Sequence, residues 1–227
     1  MALLGNAALA MWWNMAPEMR TEFQHWHSHE HFPERLGIPG FLRASRWADA
    51  DGGPGFFVLY ELEAYETLVR PEYLERLNAP TPWSLKLMPH HADMVRSQSR
   101  VLHSHGGGIA GHALTARLSP RPGREGELRE HLRVLAGELA GRPGMTGAHL
   151  LQTQTPAISQ TVEQKIRGGA DGAADWIFIA CGYDAAALRG LGPSGLDPQS
   201  LADAGAAPDA RLGVYTLGLC MVPGDLA

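Results

Sequence analysis

The sequence has no continuous apolar stretch near the roughly 20 residues that a membrane-spanning helix needs. It also has no basic stripe with interleaved aromatic residues, and its formal net charge is -5. We therefore expect neither a membrane nor a nucleic acid as a partner. The apolar residues 1–6 carry no positive charge and no clean cleavage site follows them, so we expect no signal peptide.

Cysteine is scarce, with only Cys181 and Cys220 in the chain. Each lies in an apolar, strand-like run without a second cysteine nearby. This pattern is typical of small buried side chains rather than of a disulfide framework or a redox pair. Nothing in it requires an oxidising compartment, and we expect a cytoplasmic protein.

The common signatures of nucleotide and hydrolase sites are missing as well. The sequence has no GxGxxG after a strand, no Walker loop, no GxSxG elbow and no HExxH. The glycine run at 106–108 follows a predicted strand but opens no strong helix, so it is interpreted as a linker. Any activity must therefore depend on a less stereotyped arrangement of residues.

The sequence does contain a repeated motif. Residues 31–39 read His-Phe-Pro-Glu-Arg-Leu-Gly-Ile-Pro and precede Gly40. A degraded version recurs at residues 142–145, which read Arg-Pro-Gly-Met. The chain of 227 residues thus reads as two copies of one unit, with predicted domains at 1–104 and 105–227.

Hydrophobic periodicity predicts the same order of elements, β-α-β-β-α-β, in both copies. In the first copy the predicted strands are 7–15, 41–47, 56–60 and 92–102, and the helices are 17–36 and 63–77. A loop rich in proline and tryptophan is predicted between the second helix and the last strand. In the second copy the predicted strands are 111–118, 145–152, 176–181 and 212–222, and the helices are 123–140 and 184–191.

The predicted hairpin of the second copy is longer than that of the first copy. Gly40 and Tyr60 are 20 residues apart in the first copy, whereas the matching Gly144 and Cys181 are 37 residues apart. The second hairpin therefore carries 17 additional residues. Their prolines and glycines predict a long mobile loop over one end of the fold.

A single ferredoxin-like sheet has helices on one face and an open apolar face on the other. Two copies in tandem can cover each other's open faces. We therefore predict an α+β fold in which two βαββαβ units form an α/β barrel within one chain. A homodimer through the remaining surface is compatible with this fold but is not required by it.

Four histidines lie close together on the first predicted helix: His25, His27, His29 and His31. The pairs four residues apart could each place two imidazoles on one metal ion. Two ligands do not complete a site, and the spacing identifies no third ligand. Exposed histidines or a proton-transfer histidine explain the pattern equally well, so we predict no metal site.

Glu30 occupies an apolar stripe of the same helix, where a hydrophobic residue is expected. The stripe consists of Met19, Phe23, Trp26, Glu30 and Pro33. A carboxylate that faces an apolar sheet suits general acid–base work near neutral pH. The alternative is a structural ion pair with an arginine of the sheet, namely Arg43, Arg46 or Arg96.

His31 adjoins Glu30 near the end of the helix, where the helix dipole alone could favour an imidazole. Further residues predicted to face the same cavity are Trp26, His27, Tyr60, Trp83 and His90 or its neighbour His91. Each of these could equally belong to the core or to the rim. Arg46 is the predicted partner for a carboxylate or enolate oxygen of a substrate.

The second copy lacks this polar pair. Val134 and Leu135 occupy the positions that match Glu30 and His31. This asymmetry predicts one site per chain, carried by the first half, with the second half as its wall and lid.

At these residues the chain resembles the dimeric α/β-barrel superfamily, and its first half resembles the EthD-like proteins. The resemblance rests on Trp26, His31, Pro33, Pro39 and Gly40. A closer likeness to a group of bacterial proteins of this type covers residues 23–90, including the stretches 30–35, 59–62 and 80–83. The second half resembles the superfamily only in its element order and its Pro-Gly pair.

The resemblance implies an α+β barrel with a pocket between the sheet and the helices. Relatives include cofactor-independent monooxygenases, muconolactone-type isomerases, and dehydratases or decarboxylases of aromatic polyketide intermediates. Haem-binding relatives also exist. By position, the resemblance implies that His31 is the acid–base residue.

These observations together predict a cofactor-free enzyme, of isomerase or dehydratase type, for a small cyclic or aromatic molecule. His31 would move a proton and Glu30 would orient it. Two alternatives remain: a non-catalytic protein that binds a small hydrophobic ligand, and a barrel that binds haem or a metal through its histidine-rich helix.

Overall fold

The computed structural model describes residues 3–156, 159–168, 171–192 and 195–226. The strands are β1 (Ala7–Met15), β2 (Phe41–Asp49), β3 (Gly55–Leu62), β4 (His91–Gly106), β5 (His112–Leu118), β6 (Met145–Thr153), β7 (Trp176–Gly182) and β8 (Arg211–Met221). The α-helices are α1 (Arg20–Trp26), α2 (Phe32–Leu36), α3 (Pro71–Asn78), α4 (Pro82–Leu87), α5 (Glu125–Leu139), α6 (Val162–Ile166), α7 (Ala185–Arg189) and α8 (Pro198–Asp203). A π-helical turn, His27–His31, joins α1 to α2.

The eight strands form one closed antiparallel barrel in the order β1-β3-β2-β8-β5-β7-β6-β4. Each half contributes four consecutive strands of this ring, and the pairs β2–β8 and β4–β6 join the halves. The α+β barrel predicted from the sequence is thereby confirmed, and it closes without a second chain. The domain division at residue 104 and a homodimer stay predictions.

Alternation along the strands separates an interior core from two outer cores. The interior contains Trp12, Phe57, Leu151 and Ile179, which come from both halves of the chain. Their immediate neighbours in the strands face outwards against the helices, and each half has its own outer core. The open faces of the two sheets therefore cover each other, as the repeat predicts.

The recurrent Pro-Gly pair has a structural reason in both halves. Gly40 and Gly144 have positive φ angles of 94° and 88°. A Cβ atom at Gly40 would lie 2.6 Å from the hydroxyl oxygen of Thr67, and one at Gly144 would lie 2.6 Å from the Cβ of Ala187. Only glycine combines this backbone conformation with so close an approach.

Several connections differ from the sequence-based prediction. The linker expected at 103–108 is wrong in part, because β4 continues to Gly106 and pairs with Gly147 of β6. The expected proline-rich loop contains α4, because the side chain of Thr81 caps the helix and Pro82 fits its first turn. The short helix α8 was also not predicted.

The insertion between β6 and β7 is more ordered than the loop expected there. Its described residues include α6, whose amino terminus is closed by a capping box between Thr161 and Gln164. Gly172 then forms a bridge with Val95 of β4. Gly169, one of the glycines behind the loop prediction, lies outside the described residues.

Among the described helices, none is both long and apolar enough to cross a membrane.

Candidate active site

A small cavity of about 30 Å³ lies between the helical segment that contains α1 and the outer faces of β1, β3 and β4. Residues from α6 and from the turn after α4 close it. It is lined by Met11, Trp13, Trp26, His27, His31, Val58, Tyr60, Met88, His91, Met94, Glu163 and Arg167. Of the residues predicted from the sequence, the fold therefore brings Trp26, His27, His31 and Tyr60 together.

The π-helical turn presents two histidines to this cavity. The rings of His27 and His31 stack with centroids 5.2 Å apart and an interplanar angle of 21°. Both residues are buried, with exposed fractions of 2% and 8%. Single π-helical turns within α-helices occur frequently at functional sites, because the wider turn redirects side chains.

Burial keeps both imidazoles neutral. Loss of solvation lowers the pKa of His27 well below its usual value, and the nearby charge of Arg46 lowers it further. The pKa of His31 is also lowered well below its usual value, first by burial and then by Arg35. At neutral pH each ring therefore has an unprotonated nitrogen that can accept a proton.

His91, at the start of β4, is a third histidine of the cavity. Its Nδ1 lies 3.1 Å from the carbonyl oxygen of Leu87 and 3.2 Å from that of Met88. Because a carbonyl only accepts, Nδ1 carries the hydrogen and Nε2 keeps its lone pair. Burial lowers the pKa of His91 to about 4.

Polar atoms without a hydrogen-bond partner cluster around the cavity. They are Trp13 Nε1, His27 Nδ1, His31 Nδ1 and the hydroxyl of Tyr60, each buried and unpaired among the residues that the structure describes. Buried polar atoms in folded proteins are nearly always paired, and exceptions call for a specific reason. Burial also raises the pKa of Tyr60 well above its usual value, so this phenol stays protonated. The cavity thus offers donors and acceptors that the protein itself leaves unused.

The carboxylate next to His31 is not the one that the apolar stripe predicts. Glu30 accepts hydrogen bonds from Trp26 Nε1 and from the Thr81 hydroxyl, and it lies outside the cavity lining. The Oε2 atom of Glu34 instead lies 4.0 Å from His31 Nδ1. Burial raises the pKa of Glu34, an effect that Arg35 opposes.

Arg46 does not enter the cavity lining either. Its Nη1 atom donates to the carbonyl oxygen of Gln24, at 2.9 Å, and to the hydroxyl of Ser28, at 3.1 Å. Burial lowers the pKa of Arg46 to about 10. The guanidinium therefore attaches the first helix to β2 beside the π-helical turn, and its role in substrate binding stays a prediction without a contact to support it.

Two further predicted residues lie away from the cavity. Trp83 packs on the helix surface, where its Nε1 donates to Glu22 at 3.2 Å. His90 is exposed, and His91 occupies the cavity in its place. The sequence-based alternative that named His91 thus fits the geometry, whereas His90 and Trp83 have no contact with this cavity.

The insertion contributes the residues that sequence reasoning missed entirely. Glu163 of α6 forms a buried ion pair with Arg35, and Arg167 pairs with Glu163 and Asp171. Glu163 and Arg167 both line the cavity. The second half thus covers the cavity of the first half, for which the asymmetry of the repeat predicts a wall and lid without naming these residues.

The equivalent helix of the second half has no such chemistry. α5 buries Leu128, Leu132, Leu135 and Leu139 against its sheet. Val134, the counterpart of Glu30, is exposed.

Within the described parts of the chain, no group of three or more histidine, cysteine, aspartate or glutamate side chains is arranged to hold a metal ion.

The buried histidines predict a loss of stability in acid. The unfolded chain binds protons on these rings below a pH of about 6.5, whereas the folded chain resists protonation. The free energy of unfolding should therefore fall as the pH drops below about 6.5, and His91 should contribute up to about 1.4 kcal/mol per pH unit until its folded pKa near 4 is reached.

Urea titrations between pH 4 and 8 measure this dependence. The variant His91→Gln should show a shallower decline, and His90→Gln, at the exposed neighbouring position, should follow the wild type. Equal pH dependence of the His91 variant and the wild type would contradict the prediction.

Comparison with known proteins identifies the fold of this chain but not its activity. No protein-family model matches the sequence, and no curated protein sequence matches it. A solved structure described as an anthrone oxidase-like protein is similar over 100% of this chain and 98% of its own, with a TM-score of 0.67 and 13% identity. The chain has the dimeric α/β-barrel fold.

Two further structures share this architecture. A candidate monooxygenase from Fusobacterium nucleatum subsp. nucleatum is similar over 97% of this chain and 96% of its own, with a TM-score of 0.60 and 8% identity. A candidate chlorite dismutase is similar over 97% of both chains, with a TM-score of 0.53 and 12% identity. At these identities the likeness is one of fold, so the activity has to be argued from the site.

Proposed function

We propose that this protein is a cofactor-independent enzyme that removes a proton from a small cyclic or aromatic substrate bound in the cavity of His27, His31 and His91. The observation that carries the proposal is the set of four unpaired buried polar atoms around one cavity. Neutral imidazoles beside a protonated phenol supply a base and a hydrogen-bond donor in a space shielded from water.

The walls of the cavity suit an apolar ring. Trp13 and Trp26 supply flat surfaces, and Met11, Met88 and Met94 supply side chains that adapt their shape. The present volume of about 30 Å³ holds one or two water molecules. A substrate therefore enters only when the methionines rearrange and α6 moves outwards.

In the proposed reaction, His31 accepts a proton from an acidic carbon or hydroxyl of the substrate. Tyr60 donates a hydrogen bond to the oxygen on which negative charge develops. The resulting enolate then returns the proton to another position, loses a leaving group or reacts with molecular oxygen. The name of the anthrone oxidase-like structure suggests the last route for a tricyclic substrate.

The resemblance of the first half to EthD-like proteins supports the choice of this cavity as the active site and of His31 as the base. A second proposal, a binding protein without turnover, uses this cavity as well. Measurement of proton removal itself separates the two proposals.

Anthrone is a suitable probe because its C10 hydrogen is acidic and the product is coloured differently. Under argon in D₂O, the protein should accelerate exchange of this hydrogen above the rate in buffer with equimolar free imidazole. In air, turnover would consume one O₂ per anthrone and release anthraquinone and one H₂O.

The variant Met94→Trp fills the cavity and should abolish the acceleration. Leu85→Trp adds the same indole on the exposed face of α4 and should behave as the wild type. Binding of anthrone without faster exchange would favour the binding protein, and full activity in Met94→Trp would place the chemistry elsewhere.

A further inference from the structure

A second and larger cavity, of about 320 Å³, opens at one end of the barrel. Its wall includes Arg117 and Leu118 of β5, Arg211 at the start of β8, and Val95 of β4. Ser119 and Asp209 lie at its rim. None of these residues lines the cavity of the histidines.

The two cavities lie on opposite faces of β4. Met94 lines the histidine cavity and the next residue, Val95, lines the second cavity. On β1, Trp13 lines the histidine cavity, whereas Trp12 faces the barrel interior, where Arg117 lies over its ring at 5.1 Å. The alternation of a strand therefore separates the two spaces.

Arg117 and Arg211 are directly opposite each other in the β5–β8 pair. Side chains at such positions lie side by side, and like charges there destabilise the sheet. Among the described residues, neither guanidinium has a carboxylate within 4.0 Å, although Asp209 lies in the same cavity wall. Two neighbouring cations are thus left without an anion.

Two other arginines of this protein have carboxylate partners. Arg35 is bound to Glu163, and Arg43 donates two hydrogen bonds to Glu61. Burial lowers the pKa of Arg117; the nearby Tyr215 opposes this shift and the charge of Arg211 adds to it. The pair at the barrel end therefore differs from the structural pairs in lacking a counter-charge from the chain.

We propose that this end of the barrel binds a small organic carboxylate. Its two oxygens would accept hydrogen bonds from Arg117 and Arg211, which present planar donors suited to a carboxylate. Its apolar body would lie against Val95 and Leu118. Asp209 at the rim disfavours a second negative charge and favours a ligand with one anionic group.

Isothermal titration calorimetry with sodium benzoate, at constant ionic strength, tests the proposal. One benzoate should bind per chain, and Arg117→Gln and Arg211→Gln should each weaken binding by about tenfold to a hundredfold, the effect of losing a charge-assisted hydrogen bond. Arg129→Gln removes the same charge from an exposed site on α5 and should bind as the wild type. Met94→Trp should also bind benzoate normally, which keeps this site distinct from the proposed active site.

Inorganic phosphate serves as a second probe, because it offers the charge without the apolar body. It should bind more weakly than benzoate. Absence of benzoate binding at concentrations on the order of 10 mM would overturn the proposal. Wild-type affinity for benzoate in Arg211→Gln would also overturn it. Arg211 is exposed, so its substitution tests the site even where Arg117→Gln does not fold. Equal affinity for phosphate and benzoate would overturn the assignment of an organic ligand.

Discussion

Replacement of His31 by alanine is expected to slow proton removal from anthrone by about a hundredfold to ten-thousandfold, the usual contribution of a general base. The variant should retain the fold, because His31 makes no hydrogen bond through Nδ1 within the described structure and packs mainly against Trp26 and His27. The measurement is the rate of C10 exchange at saturating anthrone, with the thermal unfolding curve as a check on folding.

His29→Ala is the matched control. It removes the same side chain from the same helical segment, but His29 is exposed and contacts His25. Its exchange rate should equal that of the wild type. Normal exchange in His31→Ala together with loss of exchange in His91→Ala would transfer the role of the base to His91.

The pH dependence of this reaction follows from the same residue. The base must be unprotonated, and the pKa of His31 lies well below its usual value. Exchange should therefore stay constant as the pH is lowered from 8 through about 6.5, the ordinary histidine value, and should decline only in more acidic solution. A decline centred at the ordinary value would show that the working imidazole is exposed to solvent.

Replacement of Arg35 by methionine is expected to destabilise the protein by about 3–5 kcal/mol. Arg35 is buried, with an exposed fraction of 3%, and it bonds to Glu163 while its Nη1 lies 3.4 Å from Glu34. The variant would leave a buried carboxylate of α6 without its principal partner. Equilibrium unfolding in urea measures the loss.

The double variant Arg35→Met and Glu163→Met should recover most of this stability, because two apolar side chains of suitable size can replace a buried ion pair. Arg133→Met, which breaks the exposed pair with Glu130, serves as a control and should change stability little. If the double variant is as unstable as Arg35→Met alone, the pair is not the origin of the effect. Faster proteolysis within 159–168 in Arg35→Met would show in addition that the pair holds α6 over the cavity.

Much of the fold could be predicted because its signals are local or repeated. The Pro-Gly pairs mark positions where both halves need a left-handed glycine against a neighbouring element. Hydrophobic periodicity along the chain predicted the strands and the order of the elements. The connections were harder to predict from the sequence. The helices there begin at a single capping residue, Thr81 or Thr161, which lies within a polar stretch and gives only a weak signal.

The site could be predicted only where spacing within one helix carries the information. His27 and His31 are four residues apart, and the fold does place them together. The choice between His90 and His91 depends on one residue at the start of β4, and a shift of one position reverses the face of a strand. Glu34 was missed because the apolar stripe favours Glu30. The bond of Glu30 to Thr81 depends on the position of α4, which was not predicted.

The contribution of α6 could not be predicted from spacing at all. Arg35 and Glu163 are separated by 128 residues, and only the closure of the barrel brings them into contact. Pairing over such distances depends on the packing of whole elements. Sequence patterns within single helices or strands do not record it.

The ring of eight strands leaves each strand with two neighbours, since β2 meets β8 and β4 meets β6. A sheet without a free border offers no template that the strand of another polypeptide could extend. Contacts with other proteins must then use side chains instead of backbone pairing at a sheet edge. Growth into fibrils by strand addition would first require one of these two seams to open.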